Sequence, residues 1–176
     1  MNRGLSMPVR VQPFAHQSRA CDEAINAFYS GRSHGFSLLM EMGCGKSLTA
    51  IGITGALYLD NRIRRVLVVA PLSILGVWEE EFEKFADFDY TLAVLNGTGA
   101  KKSETLCAMN GDGLQVVVTN YESAWRLEKE ITEWAPGLVI ADEAHKMKTH
   151  NIAASKAMHR IGARAAYHHL LAQRRG

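Results

Sequence analysis

The stretch Phe36-Ser37-Leu38-Leu39-Met40-Glu41-Met42-Gly43-Cys44-Gly45-Lys46-Ser47 decides how the rest of the chain is read. Its first five residues form a short apolar run, the length of a strand and apolar on both faces, as a strand inside a parallel sheet is. Two glycines then precede Lys46, which opens an apolar helical pattern reaching Leu59. Strand, glycine loop and helix in that order are the setting of a phosphate-binding loop. Gly43 and Gly45 lack Cβ atoms, so the backbone can wrap around a phosphate with its N–H groups turned inward. The helix N-terminus adds partial positive charge. Lys46 would reach the β- and γ-phosphates, and the Ser47 hydroxyl would ligate Mg²⁺. One departure stands out: Met40 occupies the position where the general pattern has its leading glycine.

Further along, the same alternation repeats. Apolar runs at Val66–Ala70, Thr91–Leu95, Leu114–Thr119 and Leu138–Ala141 read as strands. Between them lie helical patterns. In Ser73–Phe85, Ile74, Trp78, Phe82 and Phe85 recur at helical spacing, with Ser73 as the expected N-cap. Leu127, Ile131 and Trp134 share a face within Glu122–Trp134, and Cys21, Ala24, Ile25 and Phe28 do so ahead of the first strand. Asn96-Gly97-Thr98-Gly99 and Asn110-Gly111-Asp112-Gly113 mark turns. Strand alternating with helix predicts right-handed βαβ units and an α/β fold with a doubly wound, mostly parallel sheet and flanking helices. Ligands of such sheets bind at the carboxyl ends of the strands.

The last apolar run ends in Asp142-Glu143-Ala144-His145. Two carboxylates beside a core are costly unless a cation faces them, and nucleotide-bound Mg²⁺ is the expected one. Asp142 would hold the metal, Glu143 would orient and deprotonate an attacking water, and His145 would touch the γ-phosphate side. A solvent-facing acidic turn is the plainer alternative. The long separation of Asp142 from Lys46 leaves room for intervening βαβ units, so both motifs can meet at one end of a sheet.

Composition bounds the rest. The 176 residues fit one domain with one core, and 47% apolar with 22% charged residues is the ordinary globular mix. A net charge of +2 does not by itself indicate nucleic acid. Beyond Glu143, however, seven Lys and Arg follow with no acidic residue, a basic end that either faces phosphate or is solvated. Cys21, Cys44 and Cys107 stand far apart, which speaks against a disulfide framework and a zinc site. With no membrane-length apolar run and no signal-like start, the chain reads as soluble and intracellular, that is, cytoplasmic.

In motif order, the chain resembles the first, RecA-like lobe of superfamily-two DEAH-box helicases, closest to the Swi/Snf-like DNA translocase branch. The resemblance runs from Pro13 to Met158. Pro13-Phe14-Ala15-His16-Gln17 is similar to the family's upstream glutamine motif, which implies that Gln17 reads the adenine edge. Glu41-Met42-Gly43-Cys44-Gly45-Lys46-Ser47 is similar to its phosphate loop, which often lacks the leading glycine, and so implies nucleotide contacts from Met42 to Ser47 with Lys46 catalytic. Ala70-Pro71-Leu72-Ser73 and Thr119-Asn120-Tyr121-Glu122 resemble two motifs on the nucleic-acid side, which implies contacts from Pro71, Ser73, Thr119 and Tyr121. Asp142 through Lys148 extends the acidic motif, with Glu143 catalytic and Asp142 on the metal.

What the resemblance implies is thus an ATP-binding lobe using ATP and Mg²⁺, hydrolysing ATP in response to nucleic acid, with DNA favoured over RNA by the branch. It divides the chain into an extension (1–12), the lobe (13–160) and a basic tail (161–176). The family's next motif is missing from Ile161 to Gly176, and His168-His169 reads as part of an exposed tail. The lobe is therefore expected to be truncated at its C-terminal end and to rely on a second lobe, supplied by another polypeptide. A nucleic-acid- or partner-binding module with a vestigial ATP site is the competing reading. A phosphate-loop kinase is a third, for which no substrate lid is visible.

Overall fold

A computed structural model of the chain describes residues 7–31, 33–40, 43–143 and 152–173. Its elements are α1 (Ala15–Tyr29), β1 (Gly35–Met40), α2 (Lys46–Leu59), β2 (Arg65–Ala70), a 3₁₀ turn (Leu72–Ile74), α3 (Leu75–Phe85), β3 (Tyr90–Val94), α4 (Gly99–Ala108), β4 (Leu114–Asn120), α5 (Tyr121–Arg126), α6 (Glu128–Trp134), β5 (Leu138–Asp142), α7 (Ile152–Arg164) and β6 (Tyr167–Gln173). The strands form one sheet in the order β1-β6-β5-β2-β4-β3, and every pairing is parallel.

Strand periodicity divides the apolar residues cleanly between two cores. Val66, Val68, Val116, Val118, Leu138 and Ile140 face one way and pack with Ile25 and Phe28 of α1, Ile51 of α2, and Trp78 and Phe82 of α3. Leu67, Val69, Val117, Val139 and Ala141 face the other way and pack with Leu106 of α4, Ile131 and Trp134 of α6, and Ile161 of α7. Helices thus cover both faces, which is why the central strands are apolar throughout rather than alternating. Among the described residues no helix is long and apolar enough to cross a membrane.

The five expected strands are present to within a residue or so. Three expectations change. Residues expected as a basic tail instead finish α7 and form β6, which lies between β1 and β5. His168 accordingly stands in a strand, with its Nδ1 buried and unpartnered, rather than in an exposed tail. Ser73 does not cap α3: Pro71 is followed by a 3₁₀ turn containing Ser73, and Ile74 precedes the helix with no side-chain cap. The expected helix over 122–134 is two helices that break at Leu127, while Asn120 caps the first through its side chain and Ser123 N–H.

Because all six strands run the same way, their carboxyl ends share one rim. Met40 of β1, Asp142 of β5, Ala70 of β2 and Asn120 of β4 end there. The phosphate-loop, acidic and two further motifs all emerge from that rim.

Candidate functional site

The loop after β1 turns twice through backbone open to glycine: φ is +80° at Gly43 and +79° at Gly45. Gly45 then caps α2, and its carbonyl accepts the N–H and hydroxyl of Thr49, each at 3.0 Å. Lys46 and Ser47 are the first residues of α2, so the helix N-terminus sits directly beneath the loop. A side chain at Gly45 has no room, since a Cβ there would lie 2.2 Å from Gln17 Nε2.

Gln17 explains that crowding. It lies in the first turn of α1, is only 4% exposed, and spans two backbones. Its Oε1 accepts from Phe14 N–H at 2.9 Å, and its Nε2 donates to the Cys44 carbonyl at 3.0 Å. His16 Nε2 lies 3.2 Å from the same carbonyl. One amide therefore ties the entry of α1 to the crest of the loop. Gln17, Phe14, Gly43, Gly45, Lys46 and Ser47 line a common cavity of about 520 Å³, to which Glu81 and Phe85 of α3 also contribute.

At the end of β5, Asp142 is 8% exposed. Burial raises its pKa; the Trp78 indole N–H, the Glu143 backbone N–H and the charge of Lys46 oppose that, while the charge of Glu143 adds to it. Burial nevertheless outweighs these partners, so a cation beside the carboxylate would stabilise its charged form. Lys46 and Asp142 stand at the same rim of the sheet, at the start of α2 and the end of β5. Trp78 Nε1 donates to Asp142 Oδ2 at 3.1 Å, and the Tyr121 hydroxyl donates to the Asp142 backbone carbonyl. Burial, followed by the charges of Asp142 and Glu143, pushes the Tyr121 phenol well above its ordinary value, so it stays a proton donor.

Glu143 has φ +51°, left-handed backbone that a β-carbon-bearing residue rarely adopts. Such strain persists where the surroundings impose it and is concentrated at functional positions. Of the other expected site residues, Cys44 and Ser47 are half-buried in the loop region, Pro71 is half-buried, and Ser73 is exposed in the 3₁₀ turn. Thr119 is a correction: its side chain is fully buried in β4, with an unpartnered hydroxyl, and so is not presented to a nucleic acid. Met42 and His145 lie outside the described residues. The sequence reading placed Trp78 on the apolar face of a helix and missed its bond to Asp142. The available signal was general: a buried indole N–H needs an acceptor.

An all-parallel sheet with a phosphate loop at one strand end and a buried carboxylate two strands away defines a phosphate-loop nucleotide-binding domain. Residues 16–167 match the family model of the SNF2-related domain. The chain belongs to that family, which by type is one of ATP hydrolases. The DEAH-box helicases, suggested by the tetrapeptide at Asp142, are a different branch, which this match does not indicate.

Switch 2 of Arabidopsis thaliana is 30% identical over 130 residues, covering 66% of this chain and 14% of that protein. The DNA repair and recombination protein RAD54-like of Gallus gallus is 32% identical over 129 residues, covering 66% of this chain and 17% of that protein. The solved Sulfolobus solfataricus SWI2/SNF2 ATPase core in complex with dsDNA has a TM-score of 0.79 at 23% identity, covering 97% of this chain and 34% of that one. The fold is therefore that of the RecA-like lobe of a SNF2-type ATPase core, and the chain spans only a small part of each relative's length.

Proposed function

We propose that this chain is the ATP-binding lobe of an ATP-dependent DNA translocase, contributing one wall of a nucleotide site whose hydrolysis responds to DNA. The observation that supports the reading most is the shared rim: the Gly43–Ser47 loop opens α2 after β1, and the buried Asp142 ends β5 at the same end of the parallel sheet. The relatives' names, which include DNA repair and recombination proteins and a chromatin-remodeling complex ATPase chain, supply the DNA side.

In this proposal the loop from Gly43 to Ser47 cradles the phosphates with backbone N–H groups and the start of α2. Lys46 neutralises the phosphate charge that grows as the terminal group leaves. Asp142 and Ser47 would hold Mg²⁺, which when bound offsets phosphate charge. Glu143 orients the attacking water and accepts its proton. Gln17 and Phe14 border the cavity where the base would lie, and Gln17 also keeps the loop crest in place. On the nucleic-acid side, Ser73 is exposed, while Pro71 and Tyr121 are half-buried along the same rim.

A second RecA-like lobe, on this or another polypeptide, would complete the cleft. A lobe acting without the opposing arginine loses roughly 10³–10⁵ in hydrolysis rate in related phosphoryl transfers. The chain alone should therefore bind ATP, hydrolyse it slowly and not move along DNA.

The test is ATP titration of the purified chain beside its Lys46→Ala variant, with Mg²⁺ present. Weaker binding in the variant supports the reading. Equal binding would point to the vestigial site, and brisk DNA-stimulated hydrolysis by the chain alone would overturn the need for a second lobe.

A further inference from the structure

Two hydrogen bonds converge on one residue of the candidate site from two different helices, α3 and α5. Trp78 belongs to α3, the helix that follows the turn after β2, where Ser73 and Leu72 are exposed. Its indole Nε1 donates to Asp142 Oδ2 at 3.1 Å, and the ring is 1% exposed. Tyr121 opens α5 directly after β4, and its hydroxyl donates to the Asp142 carbonyl. β2 pairs with β5 and with β4, so the segments after β2 and β4 lie on one side of the acidic motif, one and two strands away. The indole N–H of the buried Trp78 needs an acceptor, and the one it has is the carboxylate of Asp142.

We propose that Trp78 is a positioning residue that fixes the Asp142 carboxylate for its metal and couples that carboxylate to the turn after β2, with Tyr121 fixing the same residue's backbone from the turn after β4. This rests on the nucleotide-site reading above. The carboxylate has two oxygens, and a donor on Oδ2 fixes the rotation of the group and so decides which lone pairs remain for a cation. α3 is packed at Phe82 and Trp78, so a shift of its first turn when that turn is occupied moves the indole as part of one body. The turns expected to meet nucleic acid are thereby wired by single hydrogen bonds to the residue expected to hold the metal.

The experiment uses the full chain and reads binding rather than turnover. ATP affinity is measured with Mg²⁺ and with EDTA for wild type, Trp78→Phe and Tyr121→Phe, alongside thermal unfolding. The indole N–H resonance of Trp78, in ¹⁵N-Trp-labelled wild type, is followed during titration with Mg²⁺ and ATP. Phe keeps most of the ring volume and removes the donor.

We expect unchanged affinity in EDTA and a roughly ten-fold smaller gain from Mg²⁺ in Trp78→Phe, the scale of one hydrogen bond to a charged group. We also expect the Trp78 indole signal to move on adding Mg²⁺ with ATP, while that of Trp125, which is partly exposed on α5, does not. An equal loss with and without Mg²⁺ would mean a packing role only and would overturn the proposal. If the variant does not fold, an unmoved Trp78 resonance in wild type overturns it instead. No Mg²⁺-dependent ATP binding by wild type would be a different failure, that of the nucleotide-site reading itself.

Discussion

Gly45→Ala puts the geometry of the loop to a quantitative test. The new Cβ would fall 2.2 Å from Gln17 Nε2 on a backbone with φ +79°. The left-handed conformation alone costs a residue bearing Cβ about 1–2 kcal/mol. The Gln17 amide is the far end of a flexible side chain and can swing aside. Doing so breaks its bonds to Phe14 N–H and the Cys44 carbonyl, at a side chain only 4% exposed. Leaving such a group unsatisfied costs about 1–3 kcal/mol. The sum is about 2–5 kcal/mol, by adding the strain and the lost bonds.

Gly43→Ala is the control, because φ there is +80° but nothing lies within 4 Å of its Cβ. It should show only the strain, about 1–2 kcal/mol. Urea unfolding of both variants, and of each combined with Gln17→Ala, separates the two contributions. Gly45→Ala should cost at least about 1 kcal/mol less in the Gln17→Ala background, whereas Gly43→Ala should be additive within about 0.5 kcal/mol. If Gly45→Ala and Gln17→Ala prove additive, Gln17 does not hold the loop in the way described.

Three other outcomes are expected. Phe82→Ala, at a fully buried position between α3 and the sheet, should lower stability by about 3–5 kcal/mol in urea; a loss under 1 kcal/mol would mean that the face covered by α1 to α3 is loosely packed. Glu143→Gly should raise stability by up to about 1 kcal/mol, since it relieves the left-handed backbone, while ATP hydrolysis by the completed cleft falls; a stability loss would count against strain at that position. Maleimide at pH 8 should label the exposed Cys107 well before Cys21, whose thiol burial and then the Asp22 charge push up to about 12, leaving almost no thiolate; peptide mapping that finds both labelled at one rate would contradict the burial of α1.

The sequence announced the strands that are apolar on both faces, because a residue such as Val68 has no other place to go than a covered sheet. It concealed β6. That strand begins Tyr167-His168-His169, and imidazoles next to an arginine-bearing helix end read as solvated chain. Only the pairing to β1 and β5 makes the segment a strand, and pairing is not local. The break at Leu127 escaped for a related reason: the helical spacing of Leu127, Ile131 and Trp134 is kept on both sides of the kink. The chemistry of the site was more legible than its scaffolding. The roles proposed for Lys46, Ser47, Asp142 and Glu143 follow from their side chains and their place in the sequence motifs. The clamp by Gln17 and the bond from Trp78 to Asp142 connect residues far apart in the chain, and no spacing rule reports them.

The place of β6 has a consequence for biogenesis. It is the final strand in chain order among the described residues, yet it is inserted beside the strand that launches the phosphate loop and beside the strand that ends in the carboxylates. On a translating ribosome the earlier strands β2, β3, β4 and β5 can pair as they emerge, leaving β1 waiting without its neighbour. The two halves of the candidate site then come into register only when residues 167–173 clear the exit tunnel. Nucleotide capture would thus be withheld until the lobe is otherwise built, and a nascent chain stalled before Tyr167 should collapse without binding ATP.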